Sequence, residues 1–241
     1  MKFSNWIKAL EGGKEAGLAV LIDPDKYNAE LVELCNSLPV FCFFVGGSKL
    51  ETGDSHKTVS DIKKRSKLPV VLFPGDTTQI TKAADGMLVL SLLSGRNAEY
   101  LIGQQVRNAA VIEKYKLPTY PVAYILVAGK RSSTTQKVTQ TKAIPQDNYT
   151  ELLNTCLAAR NLGFRAIYLE AGSGATESLK ASVLKKLKTK IKLPFIVGGG
   201  ISTVKKVQEL KTAGANIIVV GNALEKNVYL VRDLAKCFKS R

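Results

Sequence analysis

Ala166-Ile167-Tyr168-Leu169-Glu170-Ala171-Gly172-Ser173-Gly174 reads as a short buried strand that empties, past one carboxylate, into a glycine-rich turn. Apolar runs of four to eight residues stopped by turn formers are the mark of a strand covered on both faces. The pattern recurs downstream, where Pro194–Val197 runs into Gly198-Gly199-Gly200 and Ile217–Val220 runs into Gly221-Asn222. Upstream, Leu18–Ile22, Val40–Val45, Pro69–Phe73, Gly86–Ser91 and Pro121–Val127 bring the count of buried strands to eight.

The segments between them mostly have helical spacing: Ala29–Ser37, Ser55–Lys67, Ala98–Lys116, Tyr149–Leu162, Glu177–Lys190, Thr203–Ala213 and Leu224–Phe238. Strand-then-helix alternation implies parallel strands with covered faces. Eight such units in 241 residues is the size of one (β/α)8 barrel, so residues 1–241 are expected to form a single barrel domain. The rhythm breaks once. Pro74–Asp85 is too short for a comfortable helix and carries Pro74, Gly75 and three threonines, so an irregular or strand-like crossover is expected there.

Composition narrows the chemistry. Hydrophobic residues make up 45% and charged residues 23%, as in ordinary globular proteins. Cys35, Cys42, Cys156 and Cys237 form no CxxC pair and read as reduced packing residues in a cytoplasmic protein. His56 is the only histidine, which leaves little material for a histidine zinc site or a triad, and it reads as a solvated surface residue. No apolar run reaches a membrane span, and no signal peptide is expected. The formal charge of +15 favours anionic partners, or else reflects dispersed solvating lysine. Lys180, Lys185, Lys186, Lys188, Lys190 and Lys192 lack interleaved aromatics for base stacking and read as a solvated helix face, so nucleic acid is not an expected partner.

In a parallel barrel the chemistry gathers at the carboxyl ends of the strands. Three successive glycine-rich turns at the last three of these ends allow backbone amides to approach a phosphate closely. Neither GxGxxG nor a Walker A sequence is complete, which argues against dinucleotide and P-loop binding. Glu170 is placed to take a proton from a hydroxyl held by its phosphate, or is a structural acid paired with a lysine. Asp23, in Asp23-Pro24-Asp25-Lys26, either holds magnesium with help from the Ser48 hydroxyl or caps an Asx-Pro turn. Asp23 and Asp25 face opposite ways in an extended chain, and Asp23 is the nearer to the strand.

These loops, in order, resemble the geranylgeranylglyceryl phosphate synthase family, which includes bacterial heptaprenylglyceryl phosphate synthases. The resemblance spans nearly the whole chain and is carried by Leu21–Lys26, Phe44–Ser48, Ser91–Asn97, Tyr168–Gly174, Gly198–Ile201 and Val220–Asn222. It implies a modified barrel whose third helix is replaced by a strand-like stretch. It also implies transfer of a polyprenyl group, geranylgeranyl by the family name, from its diphosphate to the 3-hydroxyl of sn-glycerol 1-phosphate. On this chain Tyr168, Leu169, Glu170, Ala171, Gly172, Ser173, Gly174, Gly199, Gly200, Gly221 and Asn222 match the glycerol phosphate positions. Glu170 falls on the base with Tyr168 beside it, and Asp23 and Ser48 match the Mg2+ positions. The family habit implies a homo-oligomer, dimer or hexamer, and a lipid substrate implies peripheral membrane contact. The chain departs from many archaeal members at Gly129–Pro145, where Lys130 and Arg131 stand in place of a Pro-Gly-Gly loop. A barrel isomerase or lyase acting on a sugar phosphate would share the cradle and is the alternative.

Overall fold

A computed structural model of the chain describes residues 3–13, 16–128, 134–172, 174–175 and 177–238. Eight parallel strands, β1 (Gly17–Ile22), β2 (Val40–Val45), β3 (Val70–Leu72), β4 (Gly86–Leu92), β5 (Thr119–Ala128), β7 (Ala166–Glu170), β8 (Phe195–Gly198) and β9 (Ile217–Val220), form the sheet. The two-residue β6 (Ile144–Pro145) extends it beside the carboxyl end of β5. The order β4-β3-β2-β1-β9-β8-β7-β5 closes on itself because β4 also pairs with β5. Every expected strand has its counterpart.

The helices are α1 (Phe3–Glu11), α2 (Ala29–Cys35), α3 (Ser55–Arg65), α4 (Gln104–Tyr115), α5 (Thr134–Thr139), α6 (Tyr149–Asn161), α7 (Ala181–Lys190), α8 (Val204–Thr212), α9 (Asn222–Lys226) and α10 (Leu230–Ala235). Side chains of Asn28, Asp54, Asn148 and Thr203 accept from the first-turn N–H groups of α2, α3, α6 and α8, so local capping starts these four. Three boundaries differ from expectation. The helix expected from Glu177 begins only at Ala181, a π-helical turn at Glu99–Gly103 precedes α4, and the expected C-terminal helix is split by the extended residue Asn227 into α9 and α10. The third helix is missing, as expected; residues 74–84 join no strand, and their ordered piece is a 3-10 turn at Thr77–Gln79 in place of the expected strand-like stretch.

Period-two alternation divides the strand side chains between two layers. Phe44, Val71, Leu88, Tyr124, Tyr168 and Ile196 fill the barrel, whereas Phe43, Val45, Ile167, Leu169 and Val197 pack outward under the helices. A register shift between Leu18 and Ala19 against β2 brings both Phe41 and Cys42 to the inner layer. The amino end of the barrel is closed by α1, an element the strand-helix reading did not include. Its Phe3, Trp6 and Leu10 are buried, and the Trp6 ring stacks on Phe3 and Phe41 at 5.3 and 6.0 Å and stands edge-on to Tyr120 at 5.7 Å. Cys35, Cys42 and Cys156 are buried thiols, Cys237 is partly buried, and His56 is exposed.

Candidate active site

A cavity of about 700 Å3 opens at the carboxyl ends of the strands. Gly174, Gly199, Gly200, Gly221 and Asn222 line one side, Asp23, Gly47 and Ser48 the other, and Tyr168 and Glu170 lie between. The inward alternation of β7 is what places Tyr168 and Glu170 there. Leu169 is a correction to the sequence reading, since the same alternation turns it into the outer core, fully buried. Ala171 is also off the cavity wall, its N–H spent on the carbonyl of Gly198. Ser173, Lys130 and Arg131 lie outside the described residues.

Glu170 is 6% exposed. Burial disfavours its charged form and raises its pKa from 4.5 to about 7, against the opposing pull of the Gly172 N–H and the Tyr168 hydroxyl. Gly172 N donates to Glu170 Oε1 at 2.6 Å, so this glycine serves the carboxylate. The Tyr168 hydroxyl sits beside Glu170 near Gly198: a Cβ at Gly198 would lie 2.2 Å from that hydroxyl and 2.8 Å from Glu170 Oε2. It is close enough to favour the carboxylate, yet it completes no well-formed hydrogen bond and is a buried polar atom without a partner. Gly198, which the sequence reading put in the glycine turn without naming it among the site residues, is the last residue of β8 and lies against both groups.

The glycine side can accept an anion. Among the described residues, the N–H groups of Gly199, Gly200 and Gly221 donate to no other group. Gly199 has φ +83°, and a Cβ there would stand 2.4 Å from Glu170 Oε1. Gly200, at φ +66°, lies against the backbone of Glu177 and Ser178. Both positions need glycine for conformation as well as space. Gly174 N donates to Asn222 Oδ1 at 2.9 Å, tying the turn after β7 to the start of α9.

On the opposite side Asp23 makes the turn cap, one of the two roles the sequence reading offered for it, and still presents its carboxyl group toward the cavity. Its Oδ1 caps the Pro24–Lys26 turn by accepting from Asp25 N at 3.0 Å, while its carboxyl group also faces Gly47, whose Cβ would lie 3.2–3.4 Å away. Burial raises its pKa. Asp25 turns the other way and accepts from the N–H groups of Glu51, Thr52 and Gly53. Ser48 Oγ stands 3.3 Å from Thr135 Oγ1. No cluster of three His, Cys, Asp or Glu occurs among the described residues. The donor set on this side is therefore one carboxylate and a pair of hydroxyls, which suits a hard cation that takes its remaining ligands from phosphates and water.

A narrow apolar slot of about 80 Å3 joins this side of the cavity, sharing Gly47, Ser48, Phe73 and Tyr124 with it and continuing between Leu90, Leu92 and Tyr100. It passes the loop after β3, where the missing helix leaves room. Phe73 stacks on Tyr168 at 5.2 Å, and Tyr124 meets Tyr168 at 5.1 Å, so the aromatic floor is continuous from slot to carboxylate. Sequence reasoning missed Phe73, just past the end of β3, and Tyr124, an inward-facing residue midway along β5.

Residues 14–238 match the model of the PcrB family. A geranylgeranylglyceryl phosphate synthase of Zunongwangia profunda is 42% identical over 92% of this chain and 96% of its own length. One of Pyrococcus abyssi is 41% identical over 90% and 86%. Among solved structures, the (S)-3-O-geranylgeranylglyceryl phosphate synthase of Thermoplasma acidophilum in complex with sn-glycerol-1-phosphate superposes with a TM-score of 0.91 at 31% identity, covering 99% of both chains. Fold and a large share of the sequence are thus common to this chain and these proteins, and the chain belongs to the PcrB family.

Proposed function

We propose that the chain is a prenyltransferase that forms an ether bond between the 3-hydroxyl of sn-glycerol 1-phosphate and a polyprenyl diphosphate, geranylgeranyl diphosphate by analogy with its relatives, releasing pyrophosphate. The observation that carries this reading is Glu170, a buried carboxyl group with a pKa near 7 standing between the glycine turns and the apolar slot. A base is most effective when its pKa lies near the working pH.

The unpaired N–H groups of Gly199, Gly200 and Gly221 hold the phosphate of the acceptor. That anchors its free hydroxyl toward Glu170, with the Tyr168 hydroxyl as a further donor beside it. The slot receives the start of the donor's apolar tail, and Asp23 and Ser48 would hold magnesium on the diphosphate side. Magnesium, when bound, neutralises charge on the departing diphosphate. As the bond from the allylic carbon to diphosphate breaks and the bond to the glycerol oxygen forms, Glu170 accepts the hydroxyl proton. The aromatic floor of Phe73, Tyr124 and Tyr168 excludes water that would otherwise capture the allylic carbon.

Incubation with labelled sn-glycerol 1-phosphate and geranylgeranyl diphosphate tests the reading, the expected result being a lipid-soluble labelled product. A sugar-phosphate isomerase or lyase would yield none and would leave the slot without a role. Activity is expected to be lost in excess chelator and to be severely reduced in Asp23→Asn, because an amide lacks the charge that a hard cation needs; full activity of either would remove magnesium from the proposal. No helix among the described residues is long and apolar enough to cross a membrane. The same reading places the protein in the cytoplasm as a homo-oligomer in peripheral contact with the membrane.

A further inference from the structure

Gln79, in the turn that stands where a third helix would be, is fully buried. Its Oε1 accepts from Gly47 N at 3.1 Å and from Gly75 N at 3.2 Å, while its Nε2 donates to the Gly47 carbonyl at 2.8 Å. Only this orientation of the amide satisfies all three contacts. The two loops it joins follow β2 and β3 and lie in backbone contact: a Cβ at Gly75 would stand 2.2 Å from Gly47 O and 2.8 Å from Ser48 O. The turn is anchored in its own right, with Thr77 Oγ1 donating to Asn108 Oδ1 at 2.6 Å and Gln104 Nε2 donating to Gly75 O at 3.0 Å, both partners being on α4.

A helix in this connection would bury apolar side chains against the sheet; here one amide reaches the mouth of the barrel and fixes Gly47 through both its N–H and its carbonyl. The next residue is Ser48, and the Asp23 carboxylate faces Gly47 from the other side. We propose that Gln79 is a positioning residue for the diphosphate side of the site: it sets the Gly47-Ser48 backbone on which the donor's diphosphate and its magnesium are held. The inference rests on the proposed prenyl transfer for the identity of that anion. The acceptor side, built on β7, β8 and β9, makes no hydrogen bond to Gln79 among the described residues, so the effect of Gln79 is one-sided.

Gln79→Leu removes all three hydrogen bonds, whereas Gln79→Glu keeps the acceptor and loses the donor to Gly47 O. The full chain and both variants are titrated calorimetrically with sn-glycerol 1-phosphate, and then, saturated with it, with inorganic pyrophosphate and magnesium. Pyrophosphate affinity is expected to fall about tenfold or more, the scale of a lost buried hydrogen bond, with glycerol phosphate affinity within about twofold of the parent. In steady-state assays the KM for geranylgeranyl diphosphate and the half-saturating magnesium concentration rise, while the acceptor KM holds. Unchanged pyrophosphate affinity in folded variants, or equal loss of both ligands, overturns the inference. Should Gln79→Leu fail to fold, Gln79→Glu carries the same comparison. Failure of the parent protein to make a lipid-soluble product would instead sink the prenyl-transfer reading, and the two failures are read in separate experiments.

Discussion

Glu170 combines a catalytic proposal with an energetic consequence. Its carboxyl group has a pKa of 4.5 in a solvated chain and about 7 when buried here. Between those values the folded protein holds a proton that the unfolded chain has lost. The stability contribution is therefore full below the unfolded pKa and is lost as pH rises through about 7. Glu170→Gln is expected to reduce turnover by about 10²–10⁴-fold while retaining glycerol phosphate binding, because it removes the base and keeps size and polarity. The same variant is expected to melt above the parent protein at about pH 8, where the buried charge costs up to about 3 kcal/mol, and level with it near pH 4. Parent kcat/KM should fall as pH drops below about 7. A variant that turns over normally, or that melts lower at alkaline pH, contradicts the assignment. Tyr168→Phe separates the neighbouring hydroxyl from the fold: among the described residues the hydroxyl completes no well-formed hydrogen bond, so its removal should leave the melting temperature unchanged or raised where Glu170 is protonated. Turnover should nevertheless fall, and undiminished turnover would show that the hydroxyl touches nothing in the reaction.

At the scale of elements, the glycine turns after β8 and β9 differ in what they demand. Gly199 and Gly200 have positive φ and no room for a Cβ, so a side chain at either strains the backbone and, at Gly199, strikes Glu170. Gly221 has φ −126°, and a Cβ there would meet Leu21 at 3.3 Å, a contact that a small shift relieves. Gly221→Val is therefore expected to fold and to project its side chain into the cavity beside an unpaired N–H. Its requirement for sn-glycerol 1-phosphate should rise strongly and that for the prenyl diphosphate much less. Separate binding titrations check this division; loss of donor affinity instead of acceptor affinity would show that the two sides of the barrel mouth have been exchanged.

On the scale of the whole molecule, part of the excess charge gathers on two neighbouring helices. Lys185, Lys186, Lys188 and Lys190 lie on α7, Lys205, Lys206 and Lys211 on α8, and Lys192 in the loop between β8 and α7. Glu209, the acid on α8, is occupied by Lys206 at 2.8 Å. Such a concentration of lysine, on a protein proposed to act on a prenyl diphosphate, suits an anionic membrane surface. The chain is expected to bind vesicles containing acidic phospholipid at low salt and to leave them as ionic strength rises. Reversing the exposed Lys185 and Lys190 to Glu should weaken this binding without changing turnover of a short, soluble donor. Salt-insensitive binding, or none, would remove the basic face from any role at a membrane.

The alternation of apolar runs and helical spacing determined eight parallel strands, and a closed barrel then determined that Glu170, Asp23 and the glycine turns meet at one end, because all eight strands point the same way. The short 74–85 connection was likewise legible, since a dozen residues holding Pro74 and Gly75 cannot carry a helix back across the sheet. What remained hidden depends on contacts between residues far apart in sequence. The Phe3, Trp6 and Leu10 spacing of α1 was visible, but only the open amino end of the barrel gives that helix a place to bury them. Leu169 and Tyr168 are neighbours in the chain, and only closure of the sheet decides that one faces the helices and the other the cavity. The raised pKa of Glu170 comes from burial among strands more than a hundred residues apart, and the role of Gln79 from two loops that no local pattern connects. Periodicity fixes direction and face; desolvation and long-range hydrogen bonds exist only once the chain has folded.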